Sequence, residues 1–469
     1  MRRERVSTAA LTQVLGRLRP RFGERLVENS DIRVQHGNTL SEVPNQPPDA
    51  VIFPLSTDEV SIAIRACAEE RVPVIPFGAG TSFEGHVNAP FGGISIDTSR
   101  MTRIVSISAD DMDCRVEAGA TREALNHELR TSGLFFPVDP ASHATIGGMV
   151  ATRASGTNAV RYGTMKDAVL SLTAVLGTGE IVVTGTRARK SSAGYDLTRL
   201  LVGSEGTLGA ITEVGLRLAG IPESTLDAVA AFPSVEAACR TVIQTIQIGV
   251  PVARIELLDE LQVKACNAYS KLSLPETPLL FVEFQGTSRG VTEEAELFGE
   301  LARGNGGDIL NSAVDADARD VLWTARKNAY WAARALRPGA KGISTDVCVP
   351  ISALADCVEA TKADAIESGL VAPIVGHVGD GNFHVMPLID YTDPREVAAG
   401  QAFVDRLVRR ALAFGGTTTG EHGIGQSNKK YLALEFDAPT IGMMRSIKMA
   451  LDPHDIMNPG KLFDWEAPS

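Results

Sequence analysis

The stretch Leu170–Gly185, "LSLTAVLGTGEIVVTG", decides how the first part of this chain folds. Two β-rich runs flank Gly177, Thr178 and Gly179, and a glycine turn between such runs predicts a β-hairpin. Hairpin strands are antiparallel. The first 220 residues also carry helical patterns, so they read as α+β rather than as a doubly wound parallel sheet. One such pattern begins at Ser56. Ser56 and Glu59 have capping-box spacing, and Val60, Ala63, Ile64 and Cys67 follow at helical spacing until "EERVP". "VPVIP" and "GGISID" then predict short strands.

A chain of 469 residues has room for two or three domains. Its hydrophobic fraction of 44% and charged fraction of 22% are those of an ordinary soluble globular protein. The net charge of −12 argues against a general nucleic-acid binder, and an anionic ligand would need a local cationic site. The six cysteines form no CxxC or CxxCH motif. This argues against a disulfide framework, a cysteine metal site or an attached haem, and fits a reducing compartment. The N-terminal "MRRERVSTAALTQVLGRLRP" has no apolar core of a secretory signal and reads as a short amphipathic helix. No run of about 18 apolar residues is present. The expected location is cytoplasmic, with peripheral attachment at the inner face of the membrane left open. No solenoid repeat is visible. Past "LAGIPEST" (Leu218–Thr225) the glycine-dense stretches stop, and helices such as "VEAACRTVIQTIQIG" alternate with strands such as "PLLFVEFQG". These changes divide the chain into 1–220, 221–430 and a C-terminal segment 431–469.

Three tracts rich in small residues stand out. "PFGAGTSFEGH" (Pro76–His86) follows a strand, and glycine lets backbone N–H groups approach phosphate oxygens. It is neither a Rossmann fingerprint, which needs glycine at Phe83, nor a Walker A loop, which needs lysine. A plain surface turn is the competing reading. "DPASHATIGGMVATRASGTNAVRYGTMKDAV" (Asp139–Val169) is long and short of bulky residues, which suits close approach to a flat, extended ligand or a loop-rich linker. "GSEGTLGAITEV" (Gly203–Val214) runs from small residues into a β-rich segment.

"GHVGDGNFH" (Gly376–His384) sets two histidines seven apart. In a straight strand they would point to opposite faces. The Asp-Gly turn signal between them allows both imidazoles onto one side. Two histidines plus a carboxylate make a common divalent-metal set, and a turn with histidines at its ends is the alternative.

Taken in order, the three tracts, "GHVGDGNFH", "GEHGIG" (Gly420–Gly425) and "LDPHDIMNPGKLF" resemble the FAD-dependent D-2-hydroxyacid dehydrogenases. These are flavoproteins of the vanillyl-alcohol oxidase type. Within them the likeness is to the cytochrome-linked D-lactate dehydrogenases and the glycolate oxidase flavin subunits, from about residue 45 to 463. The resemblance implies a two-part FAD-binding domain, an α+β substrate cap carrying a metal site, and a C-terminal helical return to the flavin. It implies a pyrophosphate loop at Pro76, Gly78, Ala79, Gly80, Thr81 and Ser82. A second flavin tract is implied at Pro140, Ser142, Thr145, Gly147, Gly148, Ser155, Gly156, Tyr162 and Gly163. Glu205, Gly206 and Ile211 form the third, and Asn458 matches a position near the flavin ring. Arg153 stands where many relatives have asparagine. Thr81 occupies the place of the histidine that links FAD covalently in some members, so FAD is expected to be non-covalent. His86 and His143 are expected to be structural or solvent-facing.

For the reaction, the resemblance implies a divalent metal, zinc or manganese, on His377, His384 and Glu421, with His422 as the base. An imidazole suits that role, and a metal polarises the substrate oxygen. Arg326, Tyr330 and Lys341 match substrate-binding positions, and a guanidinium holds a carboxylate with two parallel hydrogen bonds. Arg326 and Tyr330 are one helical turn apart in "ARDVLWTARKNAYWAARALRP", and "KGISTDVCVP" has an alternating strand pattern. D-2-hydroxyglutarate dehydrogenases carry asparagine two residues after the second histidine. Met386 stands there and tilts the substrate towards D-lactate or another apolar-chain acid. The implied activity is FAD-dependent oxidation of a D-2-hydroxy acid to the 2-oxo acid, with electrons passing to cytochrome c, a quinone or an electron-transfer flavoprotein. A homodimer is compatible with it. Competing readings are a glycolate oxidase subunit, a D-2-hydroxyglutarate dehydrogenase, a metallohydrolase with structural glycine tracts, and a non-catalytic flavin-binding subunit.

Overall fold

The hairpin forms. Val169–Val175 pairs antiparallel with Ile181–Gly185, Val175 lies opposite Ile181, and Gly179 takes φ +82° in the connection. A Cβ at Gly179 would stand 2.9 Å from the Arg65 Cβ, so only glycine lets the turn rest on the helix Thr57–Glu69. The hairpin is one edge of a five-stranded antiparallel sheet, ordered Ile104–Ser108, Asp113–Glu117, Ala210–Arg217, Val169–Val175, Ile181–Gly185. The computed structural model describes residues 4–38 and 43–464, and Met1–Arg3 of the N-terminal stretch lie outside them.

The chain divides into two compact units: Met1–Ser155 with Gly163–Ile221 and Glu421–Ser469, and Gly156–Tyr162 with Pro222–Gly420. The boundaries read from sequence were 220 and 430. Residues 421–429 join the first unit because Glu205 and Glu84 hold them there, more than two hundred positions away in the chain. Local sequence carries no sign of such a tether.

Besides the five-stranded sheet, the first unit has a four-stranded sheet ordered Leu26–Val27, Ala50–Ile52, Ile94–Asp97, Val74–Phe77. Its last three strands are parallel, with the helix Thr57–Glu69 as crossover. Strand patterns alone did not reveal this pairing. At the helix start, the Ser56 hydroxyl accepts from Glu59 N as the box predicts. The Glu59 carboxylate instead accepts from Leu55 N and pairs with Arg25, so the box stays half closed. The N-terminal helix Thr8–Phe22 buries Val14, Leu15, Leu18 and Phe22. After the helix Ala438–Leu451 the chain docks on the strand Val74–Phe77, through Val74 N to Ile456 O and Asn458 N to Val74 O.

The second unit is built on a seven-stranded antiparallel sheet. Its order is Asp308–Ala313, Ser224–Ala231, Leu279–Gly286, Val252–Leu258, Ile374–Gly376, Asn382–Val385, Val347–Cys348. Val229, Leu258 and Phe281 from this sheet pack with Val263, Cys266, Trp323 and Ala325 in one core. Two local expectations are corrected here. "KGISTDVCVP" is not one strand but Lys341–Gly342 and Val347–Cys348, because Thr345 between them turns its hydroxyl onto the Val385 backbone. Arg326 and Tyr330 do not share a helix: Thr324–Lys327 ends at Asn328 and Ala329–Ala335 starts anew. Among the described residues no helix is long and apolar enough to cross a membrane.

Candidate active site

In the first unit the three small-residue tracts meet. A Cβ on Gly78 would lie 2.3 Å from the Thr145 Oγ1, and one on Gly206 would lie 3.0 Å from Pro76. Gly80 and Gly206 adopt positive φ, at +68° and +73°. Tracts separated by many residues thus converge with bare backbone, the cradle an extended dinucleotide requires. The chemistry of these residues fits FAD. Ala79, Thr81 and Ser82 continue the first loop, with Thr81 at the position expected for a covalent link. Pro140 and Ser142 lie in an irregular loop before the helix Ile146–Thr152. Thr145 caps that helix on Gly148 N, and Gly147 donates to Ala118 O. Arg153 ends the helix at φ +56°, a conformation asparagine also accepts readily. Gly163 sits against Asp167, and the Ile211 side chain is in the core.

Other expected flavin contacts are used by the protein itself. The Ser155 hydroxyl donates to the Glu421 carboxylate at 3.0 Å. Gly156 and Tyr162 belong to the second unit, where the Tyr162 hydroxyl donates to Gln285 at 2.6 Å. The Asn458 amide donates to His86 O and Glu205 O, and accepts from Lys461. Glu205 is buried, with its carboxylate accepting from Ile424 N at 2.7 Å and Gly425 N at 2.8 Å. His86 Nε2 lies 3.1 Å from the same carboxylate, so His86 is a buried partner, whereas His143 is exposed. Burial alone would raise the Glu205 carboxyl. The charge and hydrogen bond of His86 and the two amides outweigh burial and hold it below the usual range.

This clamp fixes the turn that carries His422. The His422 ring stacks on Phe83 with centroids 4.8 Å apart, and Glu84 lies 3.6 Å from its Nδ1. Buried Lys461 donates to Asn88 O, and loss of hydration lowers its pKa to about 7.

In the second unit, "GHVGDGNFH" is a hairpin. Ile374–Gly376 pairs with Asn382–Val385, Val375 faces His384, and Val378–Asp380 is a 3-10 turn closed by Gly381 at φ +77°. His377 leaves the first strand just before the turn, so the two rings meet edge to face with centroids 5.4 Å apart. The Nδ1 of His377 lies 2.7 Å from the Glu256 carboxylate, and that of His384 lies 2.9 Å from Thr345 O. Metal-ligating histidines characteristically give their second nitrogen to a carboxylate or backbone carbonyl, which fixes the tautomer. The donor chemistry therefore fits a divalent cation.

Arg326 donates from Nε to the other Glu256 oxygen at 2.6 Å. Burial would raise the Glu256 carboxyl, but the His377 and Arg326 charges hold it below the usual range. Tyr330 and Lys341 each pack on aromatic neighbours. Tyr330 meets Trp331 edge to face and lies under Arg334, and Lys341 stands over Tyr391. Met386 covers Gly342, where a Cβ would be 2.4 Å from its sulfur.

Sequence reasoning missed Glu256, Glu84 and the Glu205–His86 pair as a clamp. Glu256 had a signal: "VARIELL" is an apolar strand with Arg254 and Glu256 two apart, hence on one face. Paired charges on the buried face of a strand mark a site to examine.

Two family descriptions match this chain: an FAD binding domain over residues 48–185 and the C-terminal domain of FAD linked oxidases over 221–462. A zebrafish (Danio rerio) protein named probable D-lactate dehydrogenase, mitochondrial, is 48% identical over 99% of this chain and 94% of its own length. A mitochondrial D-lactate dehydrogenase (cytochrome) of Arabidopsis thaliana is 44% identical over 96% and 80%. The solved 4-ethylphenol oxidase from Gulosibacter chungangensis superposes with TM-score 0.78 at 17% identity, covering 98% of each chain, which speaks for the fold alone. These matches set aside the metallohydrolase reading. Convergent glycine tracts, a clamped histidine turn and agreement over nearly the whole length give one conclusion: the chain belongs to the FAD-linked oxidases.

Proposed function

We propose that this protein oxidises D-lactate, or a D-2-hydroxy acid with a similar apolar side chain, to the 2-oxo acid with FAD. The substrate loses a hydride from its α-carbon and a proton from its hydroxyl. Bound FAD, expected to be non-covalent because Thr81 cannot form the histidyl link, supplies the two-electron acceptor. His422 takes the hydroxyl proton. Its stack on Phe83 and the clamped turn hold the ring for that role. Arg326 holds the substrate carboxylate, its Nε anchored and its two-nitrogen fork open to bidentate pairing. Lys341 and Tyr330 are assigned to substrate binding by the family resemblance alone, Lys341 as a positive charge and Tyr330 as a neutral hydroxyl donor. The Met386 thioether, packed on Gly342, offers no donor to a second carboxylate, which disfavours 2-hydroxyglutarate.

His377, His384 and Glu421 would hold a zinc or manganese ion, which would polarise the substrate oxygen. The observation that carries this reading is the neighbouring, edge-to-face imidazole pair with both Nδ1 atoms on acceptors. Glu421 joins the set through the resemblance of "GEHGIG" to the family's motif. The remaining flavin tract residues keep their proposed roles through backbone and turn geometry.

Six cysteine thiols without disulfides suit either the cytoplasm or the mitochondrial matrix, and the two relatives are named mitochondrial. Cytochrome c, a quinone or an electron-transfer flavoprotein would accept the electrons, and the chain offers no haem or iron–sulfur motif of its own.

The test is anaerobic titration of the holoenzyme with D-lactate, L-lactate, glycolate and D-2-hydroxyglutarate, followed by visible flavin absorbance. D-lactate should bleach the flavin fastest. His422→Ala should abolish bleaching while retaining flavin and metal. Preference for glycolate would favour the glycolate oxidase reading. Undiminished bleaching in His422→Ala would remove the base assignment.

A further inference from the structure

Glu256 comes from the strand Val252–Leu258, and its side chain has no exposed surface. One oxygen accepts from Arg326 Nε at 2.6 Å, and the other lies 2.7 Å from His377 Nδ1. The three residues are remote in sequence, with 70 positions between Glu256 and Arg326 and 121 between Glu256 and His377. Neither partner sits on a rigid element of its own. Arg326 is on the four-residue helix Thr324–Lys327, which ends at Asn328. His377 lies beyond the last residue of a three-residue strand. The central strand supplies the fixed point, since Leu257 pairs directly with Gly376.

We propose that Glu256 is a positioning residue that sets the substrate-carboxylate arginine and the metal-ligating histidine together. This inference rests on the roles proposed above for Arg326 and His377. A carboxylate has two oxygens at a fixed separation, so it holds both partners in one geometry. An ionised carboxylate only accepts hydrogen bonds, so it requires N–H at His377 Nδ1 and directs Nε2 to the cation. It takes Arg326 at Nε, which keeps the Nη pair for the substrate. Among the described residues neither Nη has a hydrogen bond to protein. An amide in place of the carboxylate keeps one acceptor oxygen and adds a donor, so it can satisfy only one partner in this way.

The test uses FAD-loaded protein stripped of metal with chelator. Zinc affinity is measured by titration calorimetry, and KM for D-lactate is measured with zinc restored. Glu256→Gln should lose zinc affinity by about 10–100-fold and raise KM about tenfold or more, with flavin content unchanged. Glu256→Asp, which keeps both oxygens, should recover part of each. The effects should not add: Glu256→Gln should change zinc affinity little in a His377→Ala background, and KM little in an Arg326→Ala background. Additive losses, or wild-type zinc affinity and KM in Glu256→Gln, would overturn the inference while His377→Ala and Arg326→Ala still show their own defects. If those two single variants leave zinc affinity and KM unchanged, the site reading itself fails and takes the inference with it. If neither Glu256 variant accumulates with FAD bound, the carboxylate is a folding determinant and the positioning role is overturned.

Discussion

Replacing Glu205 with alanine removes the buried carboxylate that secures the turn bearing His422. In the folded protein it accepts from Ile424 N at 2.7 Å and Gly425 N at 2.8 Å, and pairs with His86 at 3.1 Å. Hydrogen bonds to a charged group are worth roughly 1.5–3 kcal/mol each, and the two amides are left buried without that acceptor. Allowing for relaxation of the turn, the expected loss is about 3–5 kcal/mol. For a unit of this size, that lowers the melting temperature by roughly 6–20 °C at about 2–4 °C per kcal/mol. The functional effect runs through His422, two residues before Ile424. A shift of about 1 Å in the base costs on the order of 100-fold in turnover. The assay is thermal unfolding of the first unit, followed by flavin release, beside steady-state oxidation of D-lactate. The pH dependence has a definite sign. The folded Glu205 carboxyl titrates below its usual value, so its contribution is present above the ordinary carboxylate range and is lost as pH falls through the folded value. Glu205→Ala should therefore unfold with a shallower acid limb. A variant within about 0.5 kcal/mol of wild type, with the same acid limb and turnover, would refute the clamp.

Acid precipitation should release all the flavin into the supernatant, because Thr81 stands at the linking position; yellow colour left in the pellet would show a covalent bond. Asp227 is buried beside Glu283, and burial first, then Glu283, pushes its carboxyl up to about 7. Its protonated form is favoured by the fold, so stability falls as pH rises from the unfolded carboxyl value towards 7. Asp227→Asn should remove that fall and gain on the order of 1–3 kcal/mol at mildly alkaline pH, measured by urea unfolding; a loss there would reverse the argument. Met386→Asn should shift kcat/KM towards D-2-hydroxyglutarate at the expense of D-lactate by about tenfold, and an unchanged ratio would take Met386 out of substrate selection.

Local pattern determined a good deal by itself. The hairpin at Leu170–Gly185, the capped helix after Ser56 and the turn inside "GHVGDGNFH" each depend on interactions within a few residues, so composition and spacing carried them. The ordered glycine tracts identified the flavoprotein family, because backbone-lined sites demand glycine at fixed places. Tertiary structure alone decided the rest. Parallel pairing of Ala50–Ile52, Ile94–Asp97 and Val74–Phe77 depends on how a crossover helix packs, which short apolar runs do not encode. The broken helix at Asn328 parted Tyr330 from Arg326, although their spacing suits one face. Glu205 on Gly425 and Glu256 on His377 are contacts across more than a hundred residues. A buried carboxylate must find partners wherever the fold brings them, and a sequence shows the charge without showing which partners those are.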